Sequence, residues 1–231
     1  MKTLLTALAL AAASCTALAQ SPAPTATTTA ADAYTTMMTA SIAELQQTQD
    51  VASTQLVLDK LARAAAARPA DWLPRYYLAY GAVRQAFLTK EGTDAQDKAL
   101  DAAQADLDRA RQLRGDESEL LVLQAYLHQA RIMASPMARG MKYSAKVQES
   151  LNAAEKANPA NPRVPLLRGN DLYFRPAMFG GGAGPARPFY VQAKEAFTTF
   201  KPASALAPSW GERQALAMLK KVDEAILASG K

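Results

Sequence analysis

The chain has 231 residues, enough for one domain or one short array of repeats, and 49% of them are hydrophobic, enough for a real core. Aromatics make up only 7% and alanine dominates the apolar set, a composition that favours closely packed helices and argues against an all-β fold. The formal net charge of +5 is mild and gives no warrant for a nucleic-acid partner.

Residues 1–19 read as a secretory signal peptide. Lys2 supplies the charge, residues 4–13 the apolar run, and Ala17-Leu18-Ala19 a small-x-small cleavage site before Gln20. The run is too short for a stable transmembrane helix, and no later apolar stretch approaches twenty residues. Cleavage would leave 25 basic against 21 acidic side chains, a net charge of +4. Cys15 is the single cysteine. Either it leaves with the signal, or Ala12-Ala13-Ser14-Cys15 is a lipoprotein box that opens with Ala in place of Leu and tethers the protein to a membrane. In the first case the mature chain has no thiol for a disulfide, metal site or nucleophile. The expected location is periplasmic or secreted, with a lipoprotein anchored at Cys15 as the alternative.

Residues 20–32 are a Pro/Thr/Ala tract unable to bury surface, and are expected to be a disordered linker. A helical domain is expected over 33–231. Its first helix spans 33–47, with Met37, Met38, Ile42 and Leu45 on one face, and Ser41-x-x-Glu44 could move its start to Ser41. Further helices are expected over 50–68, 72–88 and 93–113, the last with a charged, solvated outer face. The next two cover 118–134, capped by Asp116-x-x-Glu119, and 143–157, after a break at Ser135-Pro136. A helix after Pro162 runs to Phe174. Residues 175–188 hold too many glycines and prolines for a helix. Helices resume over 189–200 and from Ser209 to 228, with Ser209-x-x-Glu212 as a capping box.

One spacing recurs through these helices. It is a small residue, Leu four later, Ala three later, a breaker five later, and a second small residue ten beyond. The copies are Val57, Leu61, Ala64, Pro69, Ala79; Ala103, Leu107, Ala110, Gly115, Ala125; and Val147, Leu151, Ala154, Pro159, Gly169. The first three positions share one helix face, and the breaker ends the helix, with Gly115 expected to take the left-handed cap conformation. The last small residue lets the following antiparallel helix approach closely. Ala196, Phe200, Ala203 and Pro208 repeat the offsets a fourth time, although Pro202 falls inside that helix.

The offsets resemble the tetratricopeptide repeat family, over residues 51–172. The Phe179-Gly180-Gly181-Gly182 stretch is similar to a Phe-Gly-Gly segment of some exported bacterial repeat proteins. The separation of successive copies departs from the family: Leu61, Leu107 and Leu151 lie farther apart than its period of roughly 34 residues. The aromatic usual late in the first helix is replaced by Ala82, His128 and Leu172. The resemblance implies an all-α fold of antiparallel helix hairpins, stacked as a short right-handed superhelix. The alternative is a non-repeating helical bundle whose offsets coincide by chance.

Carrying the family's groove positions over implies partner-binding residues Tyr76, Tyr80 and Arg84 in the first unit, Tyr126 and Gln129 in the second, and Asn170 and Tyr173 in the third. Tyr80, Tyr126 and Asn170 share one offset and would form a stripe. Tyrosine offers apolar area plus a hydroxyl at low entropic cost, though such rings also pack between helices. The loop Phe179, Gly180, Gly181, Gly182 has no assigned role. It either donates backbone N–H groups to an anion or is a tight crossover packed by Phe179. His128, the sole histidine, is expected to be structural, with no second His or Cys to complete a metal site and no Gly-x-Ser-x-Gly elbow.

No cofactor, metal or catalytic residue is assigned. The expected function is an exported, non-catalytic scaffold binding a peptide, protein or envelope component in its concave groove. The alternatives are a periplasmic accessory protein that binds a small ligand for a transporter, and an enzyme using the glycine loop or His128.

Overall fold

A computed structural model describes residues 30–230 of the chain; the expected signal peptide, Cys15 and residues 20–29 of the expected linker lie outside them. The described residues form nine α-helices and no strand: α1 (Ala30–Gln47), α2 (Val51–Ala67), α3 (Trp72–Leu88), α4 (Thr93–Gln112), α5 (Glu117–Ala134), α6 (Pro136–Ala157), α7 (Arg163–Phe174), α8 (Ala183–Thr199) and α9 (Glu212–Ala228). A short 3-10 turn, Ala177–Phe179, sits between α7 and α8.

Consecutive helices pack side by side, most extensively α3 with α4, α5 with α6 and α7 with α8. Contacts that skip one helix join α1 to α3, α3 to α5 and α5 to α7, so these four form an inner row. The fold is therefore all-α hairpins stacked in sequence.

The recurring spacing is the core of this stack. Leu61, Leu107 and Leu151 are fully enclosed, as are Val57, Ala103, Val147, Ala79 and Ala125. Each breaker lies just beyond the end of α2, α4 or α6. At the final small residue of the third copy the close neighbour is a side chain and not the expected backbone of the hairpin partner: a Cβ on Gly169 would stand 2.7 Å from the ring of Tyr190 in α8. The reason for Gly115 differs from the expected one. Arg114, with φ 59°, takes the left-handed conformation, whereas Gly115 makes room for Trp72, whose ring lies 2.7 Å from where a Cβ would be.

Helix ends follow local chemistry. The carboxylates of Asp50, Asp71 and Asp116 accept from the backbone N–H of Ser53, Leu73 and Glu119 and start α2, α3 and α5. Helix α1 starts at Ala30, three residues into the stretch expected to be linker, and Ser41 is buried in mid-helix, not a cap. Helix α6 starts at Pro136, because proline at the first helical position sacrifices no hydrogen bond. Helix α8 likewise begins six residues before the expected start. Pro185 falls in the first turn, where N–H groups have no helical partner, and only Pro188 forgoes one. Gly211, with φ 113°, precedes α9, so Ser209 is not its cap. The fourth copy of the spacing fails at Ala203, since α8 has already ended at Thr199.

The segment 200–211 between α8 and α9 positions the site. It returns across the inner row as a strap. The Leu206 carbonyl accepts from the Tyr77 hydroxyl (2.9 Å), the Pro208 carbonyl from Arg163, and the Ser209 hydroxyl from the Gln46 amide (3.3 Å). Just past it, Arg213 donates to the Gln46 carbonyl at the end of α1 (2.6 Å).

Candidate functional site

The strap carries Trp210 onto the two tyrosines of the expected stripe that remain together. Its ring centroid lies 4.9 Å from Tyr80 and 5.6 Å from Tyr126, with interplanar angles of 23° and 24°. Tyr80 and Tyr126 are 6.4 Å apart at 30°, and Phe87 adds a fourth ring 5.1 Å from Tyr126. Three near-parallel rings spaced as a triangle form an offset layer, the arrangement that π-quadrupoles favour. Trp210 and Tyr80 are buried, Tyr126 is half-buried and Phe87 is exposed.

Tyr80, Tyr126 and Trp210 border a cavity of about 360 Å³, completed by Gln46, Arg84 and residues 209–214. Arg84 donates to the Leu45 and Thr48 carbonyls at the end of α1, where a cation suits the unpaired carbonyls, and its guanidinium also faces the Tyr80 ring. Burial raises the Tyr80 and Tyr126 phenols above the ordinary tyrosine range, so both stay neutral hydrogen-bonding groups.

The other expected groove residues are used internally. Tyr76 is fully enclosed: its hydroxyl accepts from Trp210 Nε1 (2.8 Å) and donates to Glu119 Oε2 (3.3 Å). Gln129 donates to the Leu167 carbonyl (2.7 Å), and Asn170 accepts from the Tyr190 hydroxyl (2.9 Å). Tyr173 is half-buried against Phe174 and lies under Lys221. Thus Tyr80, Arg84 and Tyr126 meet at the cavity, whereas Tyr76, Gln129, Asn170 and Tyr173 do not line it.

The glycine loop fits neither expectation. The N–H groups of Gly180, Gly181 and Gly182 donate to the carbonyls of Ala177, Pro176 and Leu172, so these three are not free for an anion. Phe179 is 65% exposed and so does not pack the crossover. His128 is half-buried in α5 beside a separate cavity of about 260 Å³ lined by Leu121, Lys146, Glu149, Ser150 and Ala153. Among the described residues there is no group of three or more His, Cys, Asp and Glu placed to hold a metal ion, and no helix long and apolar enough to cross a membrane.

Sequence reasoning missed Trp210 and its strap. The available signals were a tryptophan, one of two in the chain, and Pro202 interrupting the fourth copy where the family pattern would continue the helix. A buried aromatic layer thus opens on a cavity within the stacked helical hairpins.

No protein-family model matches the chain, and no curated protein matches it. Among solved structures it is similar to the HusA haemophore from Porphyromonas gingivalis, at 31% identity and a TM-score of 0.74, over 85% of this chain and 96% of that one. The chain belongs to the family of that haemophore.

Proposed function

We propose that this protein is an exported carrier that captures haem at the cavity of Tyr80, Tyr126 and Trp210. The observation that carries the reading is the near-parallel ring layer bordering a cavity of about 360 Å³, in a chain akin to a haemophore. A cavity of that volume lies within the range of sites that take small molecules. The half-buried Tyr126 ring is the one with a face left for stacking, and Arg84 and Arg213, which share the rim with Glu212, are the cations for the carboxylates that haem bears.

The strap also bears on the peptide reading. It occupies the inner row from Arg163 to Gln46, where an extended peptide would lie in an open groove of tetratricopeptide type. A small ligand needs only the cavity left beside it. The reading thus joins the small-ligand alternative to the non-catalytic one, with export resting on residues 1–19.

Titration of haemin into the protein, followed by its Soret absorbance, tests this. Saturable binding is expected. Tyr126→Leu, at a half-buried position, should weaken it by about tenfold through lost stacking and area while far-UV circular dichroism stays unchanged. Absence of saturable binding, or wild-type affinity in the folded variant, overturns the proposal.

A further inference from the structure

A fully enclosed arginine is unusual, and Arg163, in the first turn of α7, is the largest such side chain in the described residues. Its Nη1 donates to Glu119 Oε1 (2.9 Å) from α5, a carboxylate that also accepts from Asn161 Nδ2 (2.9 Å). Its Nη2 donates to the Pro208 carbonyl of the strap. The guanidinium also lies 4.9 Å from the Phe200 ring and 5.3 Å from the Trp210 ring, at the two ends of that segment. The other Glu119 oxygen, Oε2, accepts from Tyr76, whose oxygen takes the Trp210 N–H.

Stability alone does not account for this network. Removing two charges from water costs about what their attraction returns, and apolar residues of similar volume often serve as well. The network supplies direction instead. Indole and guanidinium only donate, and an ionised carboxylate only accepts. The order Trp210 to Tyr76 to Glu119, with Arg163 closing on the same carboxylate, is therefore the single consistent one. Trp210 is held at its N–H edge by Tyr76, near its ring by Arg163, and through the backbone two residues earlier by Pro208.

We infer that Tyr76, Glu119 and Arg163 are positioning residues for the ligand cavity, fixing the Trp210 ring parallel to Tyr80 and Tyr126 before any ligand arrives. The inference rests on the proposed function for its consequence: a ring already in place loses no rotational freedom on binding, so affinity gains from a fixed platform. None of the three lines the cavity; they act through Trp210.

The test uses Tyr76→Phe, which keeps the ring and removes only the hydroxyl. The first readout is the near-UV circular dichroism of Trp210 in the free protein, isolated by subtracting the spectrum of Trp210→Phe. The second is haemin affinity. Tyr76→Phe is expected to diminish the Trp210 band and to weaken haemin binding by about five- to tenfold; of the two buried hydrogen bonds it removes, the one from the indole is the one that orients Trp210. Leu107→Val, a remote core change, controls for a general loss of stability and is expected to leave both readouts as in wild type. Glu119→Gln should reproduce the Tyr76→Phe effects should the latter variant prove unfolded. An unchanged Trp210 band or wild-type affinity in folded Tyr76→Phe overturns the inference, as does equal weakening in Leu107→Val. Should the wild-type protein bind no haemin, the functional reading falls by that result alone, and the positioning claim is then decided by the Trp210 band of the free protein.

Discussion

His128 gives the stability of this protein a defined pH dependence. Its ring sits in α5, half-buried beside Tyr143 at 5.5 Å, with Nδ1 enclosed and without a hydrogen-bond partner. Burial, reinforced by the charges of Lys146 and Arg131, lowers its pKa from 6.5 to about 4. The folded protein therefore holds His128 neutral where the unfolded chain would protonate it. Stability from this group is fully present above pH 6.5 and is lost as pH falls towards 4. The full shift corresponds to about 3.4 kcal/mol, and partial exposure of the ring reduces it to about 2 kcal/mol. Urea unfolding at steps between pH 7.5 and 4, in wild type and His128→Phe, measures it. The variant should lack this loss and, having shed an unpaired buried nitrogen, should be the more stable form at pH 5. Glu119 and Asp106 have carboxyl pKa values raised by burial and contribute with the opposite sign, but they are common to both proteins and cancel in the difference. A wild-type-minus-variant difference that is flat, or that grows as pH rises above 6.5, refutes the argument.

Two further predictions test the packing and the surface charges. Leu107→Ala should destabilise the protein by about 3 kcal/mol, because the side chain is fully enclosed and its removal leaves a cavity between hairpins, whereas Leu56→Ala, at a position 64% exposed, should change the urea midpoint little. Asp97 accepts from Arg139 (2.7 and 2.6 Å) and Arg131 (2.6 Å), and these partners hold its pKa down to about 2. Its contribution, present above the unfolded pKa near 3.8, is lost as pH falls through 2; solvent screening keeps it to about 1 kcal/mol, and Asp97→Asn should flatten the acid limb of thermal unfolding.

The scaffold was legible because its signal repeats. Three copies of one spacing placed Leu61, Leu107 and Leu151 in a shared environment, and periodicity of that kind survives the loss of any single match. Helix starts were legible where an aspartate caps them, as at Asp116, and not where a proline opens the helix. Pro136 and Pro185 sit in first turns, where the residue is harmless, and composition does not reveal on which side of a boundary a proline falls. The site was half legible. Tyr80, Arg84 and Tyr126 follow from helical offsets, but Tyr76 lies on the same helix and differs only in facing Glu119 and Trp210. Those partners come from 43 and 134 residues away, a separation at which local patterns carry no information. Trp210 itself lies in irregular chain, outside any period.

Stacks of helical hairpins ordinarily have two free ends, and each unit leans only on its neighbours. Here the Tyr77 to Leu206 and Arg213 to Gln46 bonds tie the last part of the chain to the first two odd-numbered helices. The chain is in effect a ring fastened by its own tail. Melting should then proceed as a single event instead of unzipping from one terminus, and clipping residues 200–231 should loosen α1 as much as α8.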